Sequence, residues 1–232
     1  MPTIGEFNAR FAEIIEIPEG AIMKTQRTLR DAGLLTTGAR GVNAPDFVPL
    51  DAARMLIAVL VTDRPSLAPS AVRAFGTLKI SFQNWHQTED SEHSALIEKL
   101  KAAETFEAML AALIGSIAGM SPDLRSRYTR SVQVACTTSD MNARLECPAV
   151  QSFFSTIGPW LDVLGETDPK RRAEKVKAVE DELHRASRRA STINPNVGRI
   201  TTKRMVKGDV IAEISELFQT APAEAVGLRR AG

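Results

Sequence analysis

The sequence predicts a mainly α protein with a smaller α+β part, and three observations carry that expectation. Apolar residues recur at spacings of three and four near the N-terminus, two short alternating runs between residues 131 and 147 read as a β-hairpin, and residues 169–190 form a long, highly charged helical segment. The predicted organisation is an N-terminal unit over residues 1–62, a second α+β domain over 63–220, and a frayed tail over 221–232.

Phe7, Phe11, Ile14, Ile15 and Ile17 predict an amphipathic first helix that Pro18 and Gly20 bring to an end. A second helix follows over residues 21–32. Gly33 closes it, because the residue after a helix often takes the left-handed conformation that glycine adopts without a Cβ penalty. Residues 36–45 (TTGARGVNAP) are rich in turn formers, and residues 50–61 read as a third, strongly apolar helix. Pro65 and Pro69 interrupt the helical pattern over residues 62–69 and place the domain boundary there.

Residues 92–118 read as one helix, broken or kinked near Gly115. Residues 131–137 and 142–147, joined by 138–141, suit a hairpin. Residues 153–164 read as a short apolar helix across Gly158-Pro159, residues 197–206 as an imperfectly alternating strand, and residues 209–218 as a last helix. No segment repeats at a fixed period, which argues against solenoids and propellers.

Composition narrows the function classes. Hydrophobic content of 44% and charged content of 25% are those of a folded globular chain, and aromatic content of 5% predicts aliphatic cores. A formal charge of +1 gives no global basic signature, so a nucleic-acid surface has to arise from local clustering. Two cysteines, Cys136 and Cys147, are too few for a disulfide framework and fit free thiols in a reducing compartment, with the cytoplasm expected. No run approaches the roughly 18 apolar residues of a membrane span, so neither secretion nor a membrane partner is expected.

The second helix carries Lys24, Thr25, Gln26, Arg27, Thr28 and Arg30, with Ile22, Leu29 and Ala32 on its other side. Long cationic donors suit phosphates and guanine edges, and a glutamine amide suits adenine. From Lys24 to Arg40 there are four basic residues against Asp31 alone, a local charge of about +3. The same residues also suit a merely solvated helix face.

Thr3-Ile4-Gly5-Glu6 opening a helix, then Lys24-Thr25-Gln26-Arg27 leading to Asp31-Ala32-Gly33-Leu34-Leu35, resembles the N-terminal winged helix-turn-helix domain of the mercury-resistance regulator (MerR) family. Phe47 and Asp51 stand at about the distance from Leu35 at which that family has an aromatic and then an acidic residue opening its next helix. The resemblance covers about residues 3–60. It implies a wing over residues 36–48, Thr25 and Arg27 at the DNA, and Arg40 reaching phosphate or the minor groove. Asn43, in the same turn-rich run, completes the expected set of DNA-binding residues with Lys24, Gln26 and Arg30.

Residues 170–207 hold twelve basic residues against four acidic ones, a difference of about +8, with Arg185, Arg188 and Arg189 clustered. They suit added phosphate contacts or an exposed charged helix equally well. His86, Glu89, Asp90, Glu92 and His93 lie close together, but zinc-binding histidines usually stand three to five residues apart and these stand seven apart. No phosphate loop, dinucleotide fingerprint, nucleophile elbow or paired zinc motif is present, so neither an enzyme nor a cofactor is expected.

The expected function is therefore that of a bacterial or bacteriophage DNA-binding protein: a cytoplasmic transcriptional regulator acting as a homodimer on double-stranded DNA, with RNA polymerase a candidate further partner. Two alternatives use the same residues. One is a packaging subunit like a phage small terminase, and the other is a protein-interaction adaptor.

Overall fold

A computed structural model describes residues 4–36, 47–86, 91–138, 141–155, 163, 166–193 and 203–218. The molecule mixes α and β structure. Among the described residues it has nine α-helices and one five-stranded antiparallel sheet.

Helices α1 (Ile4–Ile14) and α2 (Glu19–Asp31) sit within a few residues of the expected ends. The stop after α2 has a clear cause. Gly33 lies at φ 69°, its N–H bonds to the Arg30 carbonyl at 2.9 Å, and the Leu34 N–H bonds to the Leu29 carbonyl at 2.9 Å. This double closure satisfies carbonyls that the helix end would otherwise orphan. Helix α3 (Pro49–Val61) is buried on nearly every side, as its uniformly apolar sequence requires.

The proline pair at 65 and 69 ends one helix and opens the next. Pro65–Leu67 form a single 3-10 turn, and Pro69 lies in the first turn of α4 (Ala68–Phe75), where a missing N–H costs nothing. The stretch expected to be a domain boundary is no gap in the packing. One buried cluster runs from Phe7 through Leu56 and Leu110 to Ile214, and the Phe7 ring lies 4.1 Å from Phe47 and 6.1 Å from Phe218. The N-terminal unit thus shares its core with the last described helix and Phe218 just after it.

The expected single helix over 92–118 is two, α5 (Ser91–Lys101) and α6 (Phe106–Ile117). The break falls at 102–105, where the Thr105 side chain caps α6 by accepting from the Ala108 N–H. Gly115 causes no break, because burial of Met109, Leu110, Leu113, Ile114 and Ile117 outweighs a propensity cost of about 1 kcal/mol. Helix α7 (Pro122–Ser131), which the sequence reading did not include, leads into the sheet.

Strands β2 (Gln133–Thr137) and β3 (Asn142–Glu146) form the expected hairpin. The chain over 150–155 is a strand, β4 (Val150–Ser155), where residues 153–164 were expected to be helical. Val150, Ser152 and Phe154 are buried on one side, and the alternation decides the period. Strand β1 (Lys79–Trp85) pairs with β4 across a bulge between Ile80 and Phe82, and β5 (Lys203–Lys207) pairs with β2, giving the order β1-β4-β3-β2-β5. Helix α8 (Pro169–Ile193) packs on α4 with Val179 buried, and α9 (Gly208–Glu216) closes the core beside α6. Among the described residues, no helix is long and apolar enough to cross a membrane.

Candidate nucleic-acid interface

Helix α2 has two stripes fixed by its 3.6-residue period. Ile22, Thr25, Gln26 and Leu29, spaced i, i+3, i+4, i+7, form the inner stripe. Met23, Lys24, Arg27 and Arg30 form the outer one, all exposed, with Met23 at 53%. The outer stripe from Gly20 to Arg30 is about 15 Å long at 1.5 Å per residue. Together with Gln26 it lines a shallow groove of about 510 Å³.

Two of the expected DNA-contacting residues are therefore placed elsewhere. Thr25 is 7% exposed and Gln26 is 6% exposed, both on the inner stripe, with Gln26 reaching only the floor of the groove. Gln26 Nε2 and Asn8 Oδ1 are buried without hydrogen-bond partners, an arrangement that costs stability. Lys24, Arg27 and Arg30 are the members of the expected set that the structure brings together on one exposed face. Arg40 and Asn43 lie outside the described residues.

The turn after α2 is anchored by Asp51, which the sequence marked only as opening the next helix, and by Arg54, Glu107 and Arg73, which sequence reasoning did not select. Asp51, 1% exposed, accepts from the Thr36 N–H through Oδ1 at 2.8 Å and from the Val48 N–H through Oδ2 at 3.0 Å. One buried carboxylate thus ties together both ends of the segment expected to be a wing. Arg54 donates to the Leu34 carbonyl at 2.8 Å and forms a two-pronged pair with Glu107 of α6 at 2.9 and 3.1 Å. Donating to the Glu107 carboxylate raises the pKa of the Arg54 guanidinium above its ordinary value despite partial burial. Arg73 of α4 donates to the Ala32 carbonyl at 3.0 Å, where the negative end of the α2 dipole favours a cation. The α2 face is held rigidly from three sides, by α1, α3 and α4.

The second basic region is an exposed helix. Asp168 accepts from the Lys170 N–H at 2.8 Å at the start of α8, and Lys175 pairs with Glu166 at 2.8 Å. Arg185 and Arg188 are exposed. Helix α4 packs on both α2 and α8, so the two basic surfaces lie one helix apart.

Of the candidate metal residues, Glu89 and Asp90 lie outside the described residues, and the two histidines are not brought together. His86 is exposed after β1, whereas His93 is buried with its ring edge-on to Tyr128 at 5.8 Å. Among the described residues no group of three His, Cys, Asp or Glu side chains could hold a metal ion. No protein-family model, curated protein or solved structure matches the chain.

Proposed function

We propose that this chain binds double-stranded DNA, with the exposed α2 stripe of Lys24, Arg27 and Arg30 entering the major groove. The observation that supports this reading is that stripe, held on a helix braced by Arg54 and Arg73 at its C-terminal end. A helix about 10–12 Å across fits a major groove about 12 Å wide, and three cations within roughly two helical turns match the demand for backbone neutralisation. Arg40 and Asn43, in the segment that Asp51 closes, add backbone contacts. The chain acts as a dimer on paired half-sites, because one small unit makes too few contacts for tight binding. Its role is transcriptional regulation.

The test is fluorescence anisotropy with labelled duplexes of random and genomic sequence at two salt concentrations. Wild type binds with steep salt dependence. Lys24→Ala with Arg27→Ala weakens binding at least tenfold and lowers the salt slope by about 2, roughly one for each lost phosphate contact. Equal binding by wild type and variant, or no binding by wild type, overturns the reading. Sedimentation equilibrium completes it: a dimer accords with regulation, whereas a larger ring favours a packaging subunit.

A further inference from the structure

The sheet has one face against helices and one face open to solvent. The inner face carries Phe154, which packs on Phe106 at 5.2 Å, and Arg204, which donates to the Val59 carbonyl of α3 at 3.1 Å. Strand register places Met205, Ala135, Arg144, Phe153 and Phe82 in one row across the outer face, from β5 to β1. This row spans four interstrand steps, about 19 Å.

Two features set the row apart from an ordinary solvated sheet face. Phe82 is 53% exposed at one end of the row and Met205 46% exposed at the other, and an exposed large apolar side chain stacked on another ring is more informative than an isolated one. The Phe82 and Phe153 rings stand 5.9 Å apart, and the Arg144 guanidinium lies 5.2 Å over Phe153. The flanking rows are polar. Gln133, Gln151 and Asn84 lie on one side of the aromatic row and Asn142 on the other, so side-chain amides border it on both sides.

The charge of the face is positive. Lys79, Arg144, Lys203 and Lys207 point outward with Glu146 as the one carboxylate in the register rows, and Glu146 pairs with Arg144. Lys79 reaches Glu104, itself exposed, at 3.1 Å, whereas Lys203 and Lys207 flank Met205 on the exposed edge strand β5. A second copy of this face laid on the first would oppose cation to cation. Protein interfaces also concentrate apolar groups and exclude lysine at their centres, whereas here one thin apolar row is bordered by amides and lysines.

We propose that the outer sheet face binds single-stranded nucleic acid. Phe82 and Phe153 stack bases, Arg144 extends the stacking platform, the flanking amides hydrogen-bond base edges, and Lys203 and Lys207 neutralise phosphates. This site is separate from the α2 stripe and does not depend on it. A chain with both surfaces holds a duplex on one element and a displaced or transcribed strand on another.

The experiment uses the full chain and fluorescein-labelled oligo(dT) and oligo(rU) of about 20 nucleotides, in anisotropy titrations at two salt concentrations. Wild type binds at least one of the two, and the comparison tells DNA from RNA. Phe82→Leu with Phe153→Leu weakens binding about tenfold or more, while Phe82→Trp retains it, because stacking requires a π face. Lys203→Gln with Lys207→Gln lowers the salt slope by about 1.4. Lys24→Ala with Arg27→Ala leaves single-strand affinity intact, so failure of the α2 reading and failure of this one are told apart. Should the double leucine variant unfold, Phe82→Trp and the lysine pair decide. Absence of binding to both probes at low salt overturns the proposal. So does unchanged affinity in the folded leucine variant, or a wild-type dimer that Phe82→Lys converts to monomer.

Discussion

Gln26 illustrates how a single residue's chemistry can mislead until its phase on the helix is considered. Its amide suits adenine, yet it lies four residues after Ile22 and three before Leu29, and that spacing alone puts it on the inner stripe. The signal was present in the sequence. Because Gln26 Nε2 is buried without a partner, Gln26→Met removes an orphaned donor and raises unfolding stability by about 1 kcal/mol, read by chemical denaturation. The same variant keeps duplex affinity, whereas a role for Gln26 in base contact would show as a loss. The cysteines make a second residue-scale case. Burial pushes the Cys136 thiol up, and burial also pushes Cys147 from an ordinary 9.0 to about 11 against the opposing hydrogen bonds at Ala149, Val150 and Tyr128. Thiolate is the reactive form, so iodoacetamide at pH 8 leaves both unlabelled in the folded chain and labels both in denaturant. The sign of the linkage follows. A raised folded value means this contribution to stability is complete below the unfolded thiol value and is lost as pH rises from there towards 11, which a denaturation series across that window checks.

At the scale of elements, the junctions matter more than the elements they join. Helix α2 was legible because its apolar spacing, its terminal Gly33 and the preceding Pro18 all agree. The brace around it was not legible, since Asp51 reaches back 15 residues to Thr36 and Arg54 reaches 53 residues forward to Glu107. Asp51→Ala strips two backbone N–H groups of their acceptor. The expected cost is about 2 kcal/mol in denaturant unfolding, with hydrogen exchange at Thr36 and Val48 rising well above that of the α6 amides. An unchanged exchange rate at those two amides would mean that the carboxylate does not hold the loop base. Strand β4 was misread for a related reason. Val150-Gln-Ser-Phe-Phe-Ser has too few apolar residues to fix a period alone, and only pairing with β3 and β1 on both sides sets Phe154 inward and Phe153 outward.

For the whole molecule, the N- and C-terminal parts are parts of one packed body. Phe7 meets Phe218, and the Ser215 hydroxyl of α9 bonds to the Ile114 carbonyl of α6 and accepts from the Ala118 N–H at 2.8 Å. Gly208 starts α9 so close to α7 that an added Cβ would lie 2.4 Å from the Tyr128 carbonyl oxygen and 2.6 Å from that of Thr129. Backbone cannot yield as a flexible side chain can, so Gly208→Ala costs about 1–3 kcal/mol and lowers the midpoint of a single unfolding transition that includes the α2 region. Two separate transitions would contradict a shared core. The sequence by itself determined the helices whose apolar periodicity is strong, the turn at Gly33, the β2–β3 hairpin and the cluster of basic residues on α2, because each depends on neighbours within a few positions. Tertiary structure alone decided the pairing of Arg54 with Glu107 that braces α2, the continuity of the core across residue 62, and the five-strand order that sets Phe82, Phe153 and Met205 in one row. Those outcomes come from contacts between residues tens to more than a hundred positions apart, which local spacing does not encode.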